Sequence, residues 1–177
     1  MSNLISSSFP SLRLRRGRSS PWIRNLLTEN RLTVNDLIWP IFICDGENKK
    51  EEISSMPNVY RYSIDRLTEI SETADNYGIN LIALFPYTPV EKKTDSAEES
   101  INSQNLVCQA LNKIKQKNVK FGVMCDIALD PYTSHGHDGL MNIEGEILND
   151  ETNSLLAKQA LLFAEHGADI IAPSDMM

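Results

Sequence analysis

The chain has 177 residues, 41% of them hydrophobic and 23% charged, which is ordinary globular composition and enough to bury a core. Its formal net charge is −7, and no apolar run approaches the roughly 18 residues that a bilayer-crossing helix needs, so a soluble chain is expected. Cys44, Cys108 and Cys125 form no CxxC pair and are odd in number, which argues against a disulfide framework and for a reducing, cytoplasmic setting.

The charge is uneven: residues 1–31 carry six arginines and one acid, a net of +5, and the remainder carries −12. Such a start suits nucleic acid, a membrane surface or an organelle transit peptide. It also suits an arm that docks on an acidic protein surface. No aromatic stacking platform accompanies the arginines, which counts against nucleic acid. The arm is the reading kept, with disorder expected over the serine-rich residues 1–12.

In chain order, Pro21-Trp22-Ile23 opens a short amphipathic segment in which Trp22, Leu26 and Leu27 share a face. Residues 37–43 (LIWPIFI) read as a buried strand, with Pro40 speaking against a central position. Residues 46–56 are charged and read as solvated. Residues 63–77 read as a helix: Ser63 stands at the cap, Ile64, Leu67, Ile70, Ala74 and Tyr77 recur every three or four positions, and Gly78 ends it. A second apolar run, 81–85, stops at Pro86, and the acidic stretch 91–105 reads as a surface loop. Leu106, Val107, Ala110, Leu111 and Ile114 predict a second helix, with Lys113, Lys115 and Lys117 near its C-terminus, where the dipole favours cations. Residues 119–129 predict a third strand and its exit. A third helix, capped by Asn149 or Asp150 and striped by Leu155, Leu156, Leu162 and Phe163, runs to about Glu165. Residues 169–172 are a fourth apolar run, followed by Pro173-Ser174-Asp175.

Strands without polar alternation, separated by helices, predict an α/β fold with a parallel sheet covered on both sides. An open doubly wound sheet and a (β/α)8 TIM barrel both fit. No glycine-rich phosphate loop follows the first strand, which counts against the nucleotide-binding version. Asp126, Asp130 and Ser174-Asp175 stand at strand ends, where barrels carry their functional groups. A barrel takes about 250 residues and eight strands. The expected organisation is therefore an N-terminal arm over 1–35, partly disordered, and the first half of a barrel over 36–177, the chain being truncated.

Residues 125–139, CDIALDPYTSHGHDG, concentrate the ionisable groups: Asp126, Asp130, Asp138, His135 and His137. The segment leaves an apolar strand and breaks at Asp130-Pro131, and Gly136 and Gly139 permit a sharp turn or a close approach. The three aspartates are oxygen ligands suited to a hard divalent cation, and they serve equally well as turn caps. His135 and His137 have a spacing that admits metal but also hydrogen bonds to neighbouring backbone. His166, at a helix C-terminus, reads as a dipole partner. Ser174-Asp175 after a strand is either the N-cap of a next helix or a pair that orients substrate and relays protons.

DIALDPYTSHGHDG resembles the signature loop of the delta-aminolevulinic acid dehydratase (porphobilinogen synthase) family. RLRRGRSSPWIRNLL, LIWPIFICDGEN, SMPNVYRYSID, IALFPYTP, LNDET and ADIIAPSDMM are similar to further family blocks in the family's order, so the resemblance runs from about residue 13 to 177. It implies a TIM barrel that condenses two molecules of 5-aminolevulinate to porphobilinogen with loss of water, in tetrapyrrole and heme biosynthesis. It assigns Asp126, Ser174 and Asp175 to the catalytic site. In zinc-dependent members cysteines stand where this chain has Ala128, Asp130 and Asp138, and Cys125 falls outside that pattern. A thiolate zinc site is thus excluded. The aspartate-bearing loop resembles that of members that use magnesium or need no metal in the active site; with magnesium, Asp130 and Asp138 are the direct or water-mediated contacts, and no organic cofactor is implied.

The family's two Schiff-base lysines react as neutral amines, which burial or a nearby cation must favour. Both belong to blocks that lie after APSDMM, and no lysine here matches them. Lys158 falls on a helix, Lys120 at a strand start, and Lys49, Lys50, Lys92 and Lys93 in charged loops. The resemblance further implies a homo-oligomer built through the arm, an octamer at full length, with no nucleic-acid or membrane partner. The expectation is an active full-length enzyme and an inactive 177-residue chain. The rival is a non-catalytic half-barrel that acts only as an assembly partner.

Overall fold

The computed structural model describes residues 8–12 and 14–177, so most of the serine-rich start and Arg13 lie outside the described residues. The chain divides into two compact units, Met1–Thr33 and Val34–Met177. In the first, the Leu12 N–H closes a turn on the Ser8 carbonyl at 3.0 Å, and a 3-10 turn at Arg16–Arg18 leads to helix α1 (Pro21–Leu26). Pro21 opens α1 where a missing N–H is harmless. Trp22, Leu26 and Leu27 are all exposed.

The second unit is a six-stranded sheet built from β1 (Ile38–Cys44), β2 (Lys50–Glu52), β3 (Tyr60–Ser63), β4 (Leu81–Tyr87), β5 (Gly122–Ile127) and β6 (Ile170–Pro173), in the order β2-β3-β1-β4-β5-β6. Helices α2 (Leu67–Tyr77), α3 (Leu106–Lys115) and α4 (Asn149–Glu165) connect β3 to β4, β4 to β5 and β5 to β6. The four strands read from sequence lie side by side in chain order and pair in parallel. A doubly wound sheet would reverse its order at a switch point. Here the short β3 does reverse the order at β1, but α2, α3 and α4 all pack on one face of the sheet, and β1, β4, β5 and β6 advance in one direction, which is the winding of a barrel.

Alternation along the strands sorts the core. Ile41, Ile43, Ile82, Leu84, Val123, Cys125 and Ile127 point to one face and are buried in a single cluster with Leu67, Ile70, Leu111, Ile114 and Phe163 of the helices. The registers Pro40↔Ala83, Ala83↔Met124 and Asp126↔Ala172 place the alternate residues together on the other face. Within this unit no helix of the described residues lies over that face: Ile38 and Ile170 remain 49% and 43% exposed, and Phe42 and Phe85, stacked at 5.6 Å, are half-buried. The expected cover on both sides is corrected here to one side.

Three local expectations also change. Residues 46–56 are solvated as read except for the buried Ile53, but 50–52 pair antiparallel with β3, which itself lies parallel to the end of β1. Lys50, Glu51 and Glu52 are all exposed, so this edge strand leaves no burial pattern, and Lys50 sits 4.5 Å from the Tyr60 ring centroid. Ser63 does not cap a helix. Its hydroxyl accepts from the Lys49 N–H at 2.8 Å, and a 3-10 turn, Ile64–Arg66, precedes α2. Helix α4 has no side-chain cap; Asn149 and Asp150 bond to each other at 3.0 Å inside its first turn. By contrast Asn105, in the stretch read as loop, caps α3 by accepting from the Cys108 N–H at 2.9 Å.

Candidate active site

The C-terminal ends of β5 and β6 carry the site. Asp126 is the next-to-last residue of β5 and stands on the open face. The β5–β6 register continues past Ala172, so Ser174 arrives beside it and its hydroxyl donates to Asp126 Oδ1 at 2.7 Å. One residue on, Asp175 Oδ2 accepts from the Leu129 N–H at 3.2 Å, which draws the β6 exit over the β5 exit. Carboxylate oxygens of Asp130, Asp138 and Asp175 all lie within 4.8 Å of one another.

Asp138 is returned to this point by a tightly bonded loop. Tyr132 is buried, and its N–H and that of Thr133 both donate to the Leu129 carbonyl. The Thr133 hydroxyl donates to the His137 carbonyl at 2.9 Å. His135 Nδ1 accepts from the His137 N–H at 3.1 Å and His137 Nδ1 from the Gly139 N–H at 3.0 Å. Both histidines therefore serve the backbone, and neither joins the acidic group. Gly136 turns with φ of +72°, while a Cβ at Gly139 would meet Ile147 at 2.7 Å. The close approach at 139 is thus to a neighbouring side chain. His166 ends α4, with its Nδ1 2.8 Å from the Leu162 carbonyl.

Two of these carboxylates, Asp175 and Asp130, are shifted by their surroundings. Burial foremost pushes Asp175 up to about 6; the Leu129 N–H opposes this, and the charges of Asp138, Asp130 and Asp126 add to it. Burial, then Asp138 and Asp126, also raise Asp130, against the cation of Lys93. The group is acceptor-rich and acidic, which fits a hard, oxygen-seeking cation that keeps part of its water shell. It does not fit a thiolate metal: Cys125 faces the helices and burial pushes its thiol up to about 12.

An open cleft of about 300 Å³ adjoins the acids, walled by Phe42, Phe85 and Tyr87, with Asp126, Asp130 and Lys93 at its polar side. All five sequence-predicted residues, Asp126, Asp130, Asp138, Ser174 and Asp175, are thereby brought to one end of the sheet. Lys93 is a residue the sequence reading set aside. It lies half-buried in a loop tied to the acid-bearing one by Thr94, which bonds the Tyr132 carbonyl and the Ser134 N–H at 3.1 Å each, and no local signal marks that long-range pairing. Gln159 of α4 is a second: it is wholly buried and its Nε2 donates to the Ala128 carbonyl at 3.1 Å. Its spacing from Leu155, Leu156 and Phe163 is the signal that would have found it.

The model of the delta-aminolevulinic acid dehydratase family matches residues 11–177. A delta-aminolevulinic acid dehydratase of Bradyrhizobium diazoefficiens is 53% identical over 167 residues, spanning 94% of this chain and 47% of the relative. One from Chlamydia pneumoniae is 45% identical over 173 residues, 98% of this chain and 52% of the relative. The crystal structure of the Toxoplasma gondii ME49 enzyme in complex with its reaction product porphobilinogen superimposes with a TM-score of 0.86 at 40% identity, covering 94% of this chain and 47% of that one. The sheet and its three helices match part of that enzyme's TIM barrel. The chain spans about half the length of the curated relatives it matches.

Proposed function

We propose that this chain, which belongs to the delta-aminolevulinic acid dehydratase family, supplies the acidic half of a site that condenses two 5-aminolevulinate molecules to porphobilinogen with loss of water. The observation that carries the reading is the convergence of Asp126, Ser174 and Asp175 with Asp130 and Asp138 at the C-terminal ends of β5 and β6. In this reading Asp175, raised to about 6, takes and returns a proton near neutral pH, and Asp126 orients substrate with the Ser174 hydroxyl bound to it. The aromatic wall of Phe42, Phe85 and Tyr87 shields the reacting carbons from water.

Asp130 and Asp138 would hold the magnesium ion, whose contribution is to draw electron density from an oxygen bound beside it, and Asp175 beside them keeps its proton-transfer role. The Schiff-base lysines fall in the part of the relatives' length that this chain does not span. The homo-oligomer forms through the basic segment over 1–35, as an octamer at full length, and three buried thiols suit a reducing, cytoplasmic setting. One observation favours the rival of a half-barrel that serves only in assembly: the apolar inner row, with Ile38 and Ile170, stands open.

Borohydride trapping tests the reading. Incubated with 5-aminolevulinate and magnesium, then reduced, the 177-residue chain is expected to keep its mass, and the full-length polypeptide to gain a substrate adduct. An adduct on the short chain would place the reactive lysine within it. No adduct at either length would end the synthase reading and leave the assembly role.

A further inference from the structure

We propose that Gln159 is a positioning residue that aims Asp175 through the single peptide group joining Ala128 to Leu129. The inference rests on the reading of Asp175 given above and adds to it the device that holds that carboxylate. Gln159 Nε2 donates to the Ala128 carbonyl at 3.1 Å, and the Leu129 N–H donates to Asp175 Oδ2 at 3.2 Å. That carbonyl and that N–H belong to one planar, rigid unit. Turning it to loosen one bond therefore loosens the other. A donor on the carbonyl also polarises the N–H and strengthens its bond to the carboxylate.

Packing alone gives no reason for a glutamine here. The position continues the apolar stripe of Leu155, Leu156 and Phe163, and the side chain is 0% exposed. Burying an amide is unfavourable unless both ends are bonded. Its Oε1 has no hydrogen-bond partner among the described residues, and the amide lies near the buried Tyr132 hydroxyl. A methionine would fill the space and leave no such oxygen. The half of the amide that is used is the donor, and it acts where the strand delivers the acidic loop.

The chain of contacts has a defined length. From α4 it passes through Ala128–Leu129, at the exit of β5, to the carboxylate that follows β6. The Leu129 carbonyl, in the next peptide group, is closed by the Tyr132 and Thr133 N–H groups, so the backbone just beyond the held peptide is fixed as well. No other described side chain bonds the Ala128 carbonyl.

The test is a double-mutant cycle in the full-length polypeptide, with Gln159→Met and Asp175→Ala, and with Gln159→Leu as a second variant should methionine disturb folding. Hydrogen exchange at the Leu129 amide and steady-state turnover of 5-aminolevulinate are read together. Gln159→Met is expected to speed exchange at Leu129 roughly 3- to 10-fold and to lower kcat by a similar factor, the loss of about one hydrogen bond, with KM within about two-fold. Added to Asp175→Ala it is expected to change neither value further. Additive losses, or an unaltered Leu129 amide, would overturn the proposal. A full-length polypeptide that does not turn over 5-aminolevulinate sinks the substrate reading instead, and the exchange cycle then decides the positioning by itself.

Discussion

Along β4 and β5 the residues facing the helices, Ile82, Leu84, Val123, Cys125 and Ile127, are closed to solvent, while Leu81, Phe85, Met124 and Asp126 on the other face are half-buried. The helix-facing row is wholly apolar, and each large side chain there contributes about 1.5–3 kcal/mol of burial. The other row turns polar only at its C-terminal end, where Asp126 and then Ser174 appear. One face thus fixes the winding of the chain. The other holds the chemistry on a scaffold it does little to stabilise, so the two can be perturbed separately.

The largest effects separate the faces outright. Asp126→Asn in the full-length polypeptide is expected to lower kcat by about 10²–10⁴, the usual range for a positioned proton-transfer group or its partner, with little change in melting temperature. Leu84→Ala, on the opposite face of the same sheet, is expected to destabilise by about 2–5 kcal/mol in urea unfolding, with the KM of the surviving folded fraction unchanged. If Asp126→Asn unfolds the protein as readily as Leu84→Ala does, the division between the faces fails.

The pH dependence sharpens the contrast, because two aspartates near the same strands shift in opposite directions. At Asp169 burial works to raise the pKa, but the Lys115 ammonium and the Val123 N–H, each at 2.7 Å, outweigh it and hold the carboxyl below its usual range. Its stabilisation is present above an unfolded pKa of about 3.9 and is lost as pH falls through the lowered folded value. Asp175 is raised to about 6, so between roughly pH 4 and 6 the folded state holds more protons than the unfolded one, and stability declines as pH rises through that window. Accordingly Asp169→Asn is expected to lower the urea midpoint at pH 7, and Asp175→Asn to raise it, without added divalent cation. Both differences should shrink toward pH 3. Each group is partly exposed and screened, so the changes stay below about 1 kcal/mol.

How far the sequence showed this division depends on the face. Four apolar runs were legible because parallel strands under helices need unbroken hydrophobic stretches, and residues 37–43, 81–85, 119–129 and 169–172 supply them. The β2–β3 pairing was not, since Lys50–Glu52 is held by backbone bonds and a lysine over a tyrosine ring, neither of which leaves a pattern. In the site, Asp126, Asp130 and Asp138 were legible from their local density. The arrival of Asp175 depends on the β5–β6 register, a long-range fact that its place at a strand end and the family resemblance anticipated, but that no local pattern contains. Lys93 and Gln159 reach the site from other elements, and for Lys93 nothing within its own segment says so.

The smallest expected effect asks what covers the open face. Ile38 stands on it, 49% exposed, on the half of β1 where only β4 pairs, because β3 joins β1 from Phe42 onward. Ile38→Ser in the 177-residue chain therefore removes little buried surface and is expected to change stability by no more than about 0.5 kcal/mol. In a closed barrel the same side chain would fill an interior layer with its neighbours. There the substitution would lose buried methyl and methylene groups and place a hydroxyl among apolar ones, at about 1–3 kcal/mol. Urea midpoints of the two lengths, each with and without the change, measure the difference. A larger loss at full length shows that the inner row becomes core on closure. Equal small losses would mean that this row faces solvent at both lengths, and that the helix-facing side alone carries the fold.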